Sequence, residues 1–309
     1  MKKCVSFGTI IAFMTALCIP AAATDYEMNV APFSVSEYEM VLSEHQEWVE
    51  EQACIIADDA DNVEVSSDPL EDYKECLDER AGLPEDVLSG YGYSGEQIEI
   101  LKQYENGEIS FETAARATSA NLSGSLYCGT HTKKKYAVTY NWTWDVLPNG
   151  LGQDGFGLGL YGVADDSRGF DTRMESTAAS VTYYYTTGTR YRSESVSKTP
   201  NTNMLTAVFD SYKLSDAGDR WVWAKEGYMT IVIVPTVPGG KQFESVRARG
   251  EYSHSTNEDI ELSLSISVDI ASETIVFTPS ISNGESGEVS QEGIRQIIFY
   301  NDGTMKEEV

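Results

Sequence analysis

From Tyr136 to Val146 the chain alternates strictly. Tyr136, Val138, Tyr140, Trp142, Trp144 and Val146 fall on one side of a two-residue period, and Ala137, Thr139, Asn141, Thr143 and Asp145 on the other. This is the pattern of a strand with one buried face. That face is too large for a single hairpin partner to cover, so a second layer is required. Further strands are expected at Ser125–Cys128, Lys134–Val146, Phe156–Val163, Ser180–Thr187, Arg190–Ser197 and Met204–Lys213. Others are expected at Gly227–Val237, Glu244–His254, Ile260–Ile270, Thr274–Ser280 and Ile294–Tyr300, separated by turn signals such as Pro148-Asn-Gly150 and Thr187-Gly188. The cleanest alternation is Glu261 to Ile270, with Leu262, Leu264, Ile266, Val268 and Ile270 inside and serines outside. Many short strands at this spacing predict a two-sheet antiparallel sandwich.

Before residue 123 the period changes. Tyr38, Val41, Leu42, His45, Trp48, Val49, Gln52, Ile55 and Ile56 repeat as one face of a helix, behind Ser34 and Ser36, each three residues before a glutamate. A second helix is announced by Asp68 as cap and Pro69 in the first turn, and stops at Gly82. A short third starts near Pro84, a fourth is capped by Ser94 with Gln97, and Ser110 caps a fifth. The fold class is therefore α+β: a small acidic helical N-terminal region, residues 24–122, followed by an antiparallel β-sandwich domain, residues 123–309.

Residues 1–23 read as a secretory signal peptide: Lys2 and Lys3, an apolar run from Val5 to Ile19, and small residues at Ala21 to Ala23. The protein is accordingly expected to be secreted and extracellular. With 22 basic and 49 acidic residues its net charge is −27. Between Thr24 and Arg116 there are 25 acidic and 4 basic residues, a net of −21. Such a field repels nucleic acid and anionic headgroups, which argues against nucleic-acid and membrane partners.

Candidate chemistry is sparse. Gly150-Leu-Gly-Gln-Asp-Gly155 and Gly157-Leu-Gly-Leu-Tyr-Gly162 both fit G-x-G-x-x-G, but strand-like sequence follows them where a dinucleotide site needs a helix. They read instead as a tightly packed strand in which Gly157 and Gly159 let an aromatic ring lie across the backbone, and no cofactor is implied. Cys128 and His131 offer a thiol and an imidazole without the further ligands zinc requires. Asp165, Asp166 and Asp171 form a calcium candidate on a loop, with a solvated acidic turn as the simpler account. Cys54 and Cys76 lie on successive predicted helices and make a candidate disulfide.

Tyr183, Tyr184 and Tyr185 must split between two faces of a strand, so at least one tyrosine looks outward, a surface that suits a sugar ring or a protein partner.

Gly92-Tyr-Ser-Gly-Glu-Gln-Ile-Glu-Ile-Leu-Lys-Gln-Tyr104, Leu126-Tyr127, Asn141-Trp-Thr-Trp144, Trp223-Ala-Lys225 and Tyr252-Ser-His254 together give an arrangement similar to that of secreted proteins of Gram-positive bacteria. Those proteins join a helical N-terminal region to an aromatic-rich β domain. The resemblance spans Leu88 to Ile270 and implies no activity.

The expectation is a secreted non-enzymatic module that binds an extracellular protein or glycan. A membrane-active β protein is one alternative, its inserting arm sought at Phe156 to Tyr161, which is shorter than the roughly 9–11 residues a spanning strand needs. An extracellular hydrolase is the other.

Overall fold

The computed structural model describes residues 30–57, 68–150, 152–164, 168–201, 203–237, 239–255, 261–269, 274–281, 289–293 and 296–308. The first part of the chain comprises β1 (Val30–Ser36), α1 (Glu37–Ala57), α2 (Pro69–Ala81), α3 (Glu85–Gly90), α4 (Gly95–Glu105), α5 (Phe111–Thr118), β2 (Asn121–Thr132) and β3 (Lys135–Trp144). Then follow β4 (Gln153–Ala164), β5 (Gly169–Phe170), β6 (Thr172–Tyr185), β7 (Arg190–Ser195), β8 (Lys198–Asn201), β9 (Met204–Asp210), β10 (Tyr212–Leu214) and β11 (Trp221–Pro235). The last elements are β12 (Phe243–Ser255), β13 (Leu262–Asp269), β14 (Thr274–Ile281), β15 (Val289–Gly293), β16 (Ile297–Tyr300) and β17 (Met305–Glu307). The chain is mostly antiparallel sheet with a smaller share of helix, a β-rich α+β fold.

One sheet has the order β1-β2-β3-β11-β6-β7, with β10 also on β11; a second has the order β17-β16-β12-β4-β9-β8, with β15 on β12 and β5 on β4. β13 and β14 pair with each other as a separate hairpin. The six alternate residues from Tyr136 to Val146 are all buried, as the two-residue period requires. Their rings meet rings of the second sheet. Trp142 stacks on Phe209 with centroids 5.4 Å apart and meets Tyr252 edge-on at 4.8 Å, and Tyr136 meets Phe243 at 5.2 Å. Each buried phenylalanine here contributes roughly 1.5–3 kcal/mol from area alone, before any ring-pair term.

The helices start where their caps dictate. Ser36 Oγ accepts from Glu39 N at 3.2 Å, and Asp68 Oδ1 from Leu70 N at 2.9 Å. Ser94 and Gln97 close a full capping box, and Ser110 Oγ accepts from Thr113 N at 3.3 Å. Two further donors at the start of α1 are satisfied from the end of α5: Glu37 N bonds Ala120 O and Tyr38 N bonds Ser119 Oγ, both at 2.9 Å. The helices dock on the loop after β3 through buried Arg80, whose guanidinium donates to Tyr93 Oη at 3.0 Å, to Leu147 O, and to Pro148 O at 2.5 Å.

Several expectations are revised. The segment expected to be wholly helical opens with β1, which pairs with β2 from Val30↔Tyr127 to Ser36↔Asn121. Pro32 is tolerated there because β1 is an edge strand. The boundary placed after residue 122 falls inside β2. Met204–Lys213 breaks at Ser211 into β9 and β10. Phe156 to Tyr161, considered as a membrane arm, lies buried in β4 between β12 and β9.

Candidate functional site

The tyrosine run ends β6, where Gly188 at φ +79° lets the chain turn back and Gly188 N bonds Tyr185 O at 2.8 Å. Its three rings have different fates. Tyr183 is buried, its hydroxyl donating to Asp210 O at 2.9 Å, with Lys213 Nζ 4.0 Å from its ring centroid. Burial pushes its pKa far up, so it stays a neutral core residue. Tyr184 is half-buried and donates to Glu226 Oε1 at 3.2 Å beneath the Lys225 ammonium. Tyr185 is also half-buried, meeting Tyr191 edge-on at 5.2 Å with the Arg220 guanidinium 5.4 Å from its ring.

Next to Tyr185 the sequence hides a stronger feature. β10 pairs with the start of β11, setting Leu214 opposite Trp221 and Tyr212 opposite Trp223. The diagonal pair Tyr212 and Trp221 then stacks almost ideally, centroids 4.7 Å apart and planes 3° apart. Trp221 nevertheless remains 47% exposed, and Leu214 equally so. On the other face of the sheet, where Lys213 pairs with Val222 and Arg192 with Tyr183, run ion pairs: Arg192 with Asp216, Arg192 Nε with Glu194 at 2.8 Å, and Lys213 with Glu194 at 2.7 Å. Such pairs contribute little stability at a surface, and their cations lie over Tyr191 and Tyr183 rather than over the stacked pair. The patch presents flat apolar area with hydrogen-bonding edges.

The most heavily charged constellation is buried. His254, at the end of β12, places Nδ1 2.7 Å from Asp154 Oδ1 on β4 and Nε2 3.5 Å from Glu37 Oε1 at the start of α1. Glu37 in turn accepts from Asn149 N at 2.6 Å and Gly150 N at 3.0 Å. Asp154 Oδ2 accepts from Tyr252 Oη at 2.5 Å, which accepts from Trp144 Nε1 at 3.1 Å. Burial disfavours the imidazolium, but Asp154 and Glu37 outweigh it and push the His254 pKa up to about 10. The cluster carries a held proton at neutral pH. Its three charged members are no more than 1% exposed, so it ties α1, the loop at Asn149 and both sheets together and offers no substrate a route in.

Among the described residues the remaining sequence candidates are not brought together. Cys128 is buried, its thiol donating to Thr130 O at 3.1 Å, and burial pushes its pKa up to about 12, the opposite of what a nucleophile beside His131 needs. Burial pushes the Cys76 thiol up to about 11, and the side chain of Cys54, its candidate partner, lies outside the described residues. Asp171 is exposed, while Asp165 and Asp166 lie outside the described residues. Among the described residues no three His, Cys, Asp or Glu side chains gather as a metal site. The second glycine motif lies within β4, and a Cβ on Gly157 would stand 2.6 Å from the Phe277 ring, so an aromatic does lie across that backbone.

No protein-family model and no curated protein matches the chain. Among solved structures, the one described as "AvmM Catalyzes Macrocyclization in Alchivemycin A Biosynthesis" is similar at 10% identity over 50% of this chain and 84% of its own, with a TM-score of 0.21. A likeness at that level carries no functional argument.

Proposed function

We propose that the protein is a secreted, non-enzymatic binding module that contacts an extracellular protein or glycan through the aromatic surface around Trp221. In this reading residues 1–23 direct export, the acidic helical region follows, and the two large sheets are the layers of a sandwich. The ring contacts of Trp142 with Phe209 and Tyr252 support the layering. One observation carries the functional reading: Trp221 stacks on Tyr212 at 4.7 Å and still leaves 47% of its surface to solvent. A tryptophan held rigid and half-exposed costs little entropy on binding, and it supplies the flat face that sugar rings and protein hot spots use. The half-buried Tyr184, opposite Trp223, shares that face of the sheet, whereas Tyr185, opposite Val222, lies on the other.

The test is a glycan and protein array probed with purified residues 24–309 and with Trp221→Ala. The reading expects a ligand whose binding falls at least about tenfold in the variant, a loss of about 1.4 kcal/mol, with an unchanged melting temperature. A ligand whose affinity ignores Trp221, or an array without any ligand, refutes it.

A further inference from the structure

Among the described residues the β13–β14 hairpin stands apart as a two-stranded sheet of its own. Its register sets Leu262 opposite Ile281, Leu264 opposite Pro279, Ile266 opposite Phe277 and Val268 opposite Ile275, so one face is wholly apolar. The other face pairs Ser263 with Ser280, Ser265 with Thr278, Ser267 with Val276 and Asp269 with Thr274. Asp269, at the turn end, is the one charged residue in either strand. Soluble sheet faces elsewhere in this acidic chain carry ion pairs such as Lys135–Glu175 and Arg192–Glu194. Apart from Val276 and the terminal Asp269 the hairpin's second face is lined by hydroxyls, and such a face backed by an apolar one is the alternation of a strand that crosses a bilayer.

The way the hairpin is held also sets it apart. It forms its own two-stranded sheet and adds no strand to its neighbours among the described residues. Its apolar face lies on β4 at Gly155, Gly157 and Gly159, where a Cβ would stand 3.0, 2.6 and 2.6 Å from Leu262, Phe277 and Ile275. Three alternate glycines give the hairpin a bed without side chains. Ile275 and Phe277 pack with Tyr161 and Val163 in a small apolar cluster separate from the main core. Among the described residues, polar links to its backbone include side-chain bonds near the strand starts: Gln153 Oε1 to Leu262 N at 3.0 Å, Gln296 Oε1 to Ile275 N at 3.2 Å, and Arg249 Nη1 to Ile275 O at 3.1 Å. Departure of the hairpin therefore breaks no ladder of either large sheet and leaves the main core closed.

We propose that β13–β14 is a membrane-inserting arm, stored with its lipid face against the glycine strip of β4 and released into a zwitterionic bilayer. The two strands, Leu262–Asp269 and Thr274–Ile281, have eight residues each, just under the roughly 9–11 that a tilted spanning strand needs, which suits a thin or locally thinned bilayer. A two-stranded arm has unpaired edges, which hydrocarbon does not tolerate, so arms from several copies of this chain must close a barrel together. With two strands each, the smallest such barrel, of about eight strands, takes about four copies. The −27 charge of the whole chain does not oppose this, because the arm is nearly neutral and the headgroups chosen carry no net charge.

The experiment uses residues 24–309 with Cys54→Ser, Cys76→Ser and Cys128→Ala, and single cysteines introduced as Ser265→Cys, Ile266→Cys, Ser267→Cys or Val268→Cys. Each carries an environment-sensitive fluorophore and is mixed with phosphatidylcholine vesicles containing a nitroxide lipid. The arm predicts that quenching alternates: strong at Ile266 and Val268, at least about threefold weaker at Ser265 and Ser267, as lipid and lumen faces require. Equal quenching at all four positions marks surface adsorption and overturns the proposal, as does none at any. Should the labelled Ile266 or Val268 variants misfold, calcein release by the unmodified chain decides instead. Release must occur and must fall at least about tenfold when 261–281 is replaced by a Gly-Ser linker. Absence of release, or its survival in the linker variant, sinks the idea.

Discussion

His254 Nδ1 and Asp154 Oδ1 lie 2.7 Å apart with both residues 1% exposed, joining the last turn of one long strand to the first turn of another. Glu37 faces the opposite ring nitrogen, so one imidazolium holds two carboxylates that would otherwise repel in a dry interior.

The first prediction concerns pH. His254 in the folded protein has its pKa raised from 6.5 to about 10, so its contribution to stability is complete below pH 6.5 and is lost as pH rises towards 10. Urea midpoints measured at pH 6, 8 and 10 should therefore fall steadily. His254→Gln should cost about 3–5 kcal/mol at pH 7 and flatten that slope, because it leaves two buried carboxylates without their cation. A steep slope that survives in the variant would assign the effect to another group.

The second prediction separates the tyrosines. Tyr183→Ala empties a buried site and should cost about 3–5 kcal/mol by chemical denaturation, whereas Trp221→Ala should change stability by less than about 1 kcal/mol. If Trp221→Ala proves the more destabilising, the ring is a structural element and the surface reading fails.

A third prediction tests the glycine strip. Gly157→Leu forces a Cβ to within 2.6 Å of the Phe277 ring and 3.0 Å of Ile266, so the hairpin must lift. The expected cost is about 1–3 kcal/mol, with new protease cleavage confined to 261–281 and unchanged near-ultraviolet signal from the buried tryptophans. Cleavage distributed over the whole chain would show instead that the strip is integral to the second sheet.

The fourth prediction is about thiols. With pKa values pushed up to about 11 and 12, Cys76 and Cys128 should react with iodoacetamide at pH 8 at least about tenfold more slowly in the native protein than after unfolding. Titration of the unfolded, unreduced chain should include both. A single reactive thiol would show that Cys54 and Cys76 have bridged.

Local chemistry made the helices and the central strand legible. Ser94 with Gln97, Asp68 with Pro69 and the six alternate residues from Tyr136 are signals complete within a dozen positions. β1 was not legible, because its proline and serines carry no strand pattern; it exists because Gly124 opposite it leaves room for Phe33, whose ring lies over that backbone and stacks towards Tyr140 at 6.4 Å. The charge cluster was illegible for a different reason: Glu37, Asp154 and His254 are each at least a hundred residues from the next. The tyrosine run announced that its rings divide between faces, but the stacked pair of half-buried Tyr212 and exposed Trp221 is set by the β10–β11 pairing that no local spacing encodes. The inward alternation from Leu262 to Val268 was plain, whereas the bed that receives it lies in a glycine motif a hundred residues earlier.

The order of strands has a consequence for synthesis. β11 occupies the middle of the first sheet between β3 and β6, and β12 occupies the middle of the second between β16 and β4. Both arrive late and one after the other, so a nascent chain that ends before residue 221 holds β1-β2-β3 and β6-β7 unjoined and β4-β9-β8 with an open edge. Such a chain cannot fold piece by piece from its N-terminus. Its first sheet closes only when Trp221 to Pro235 joins β3 to β6, and its second only when β15, β16 and β17 follow β12.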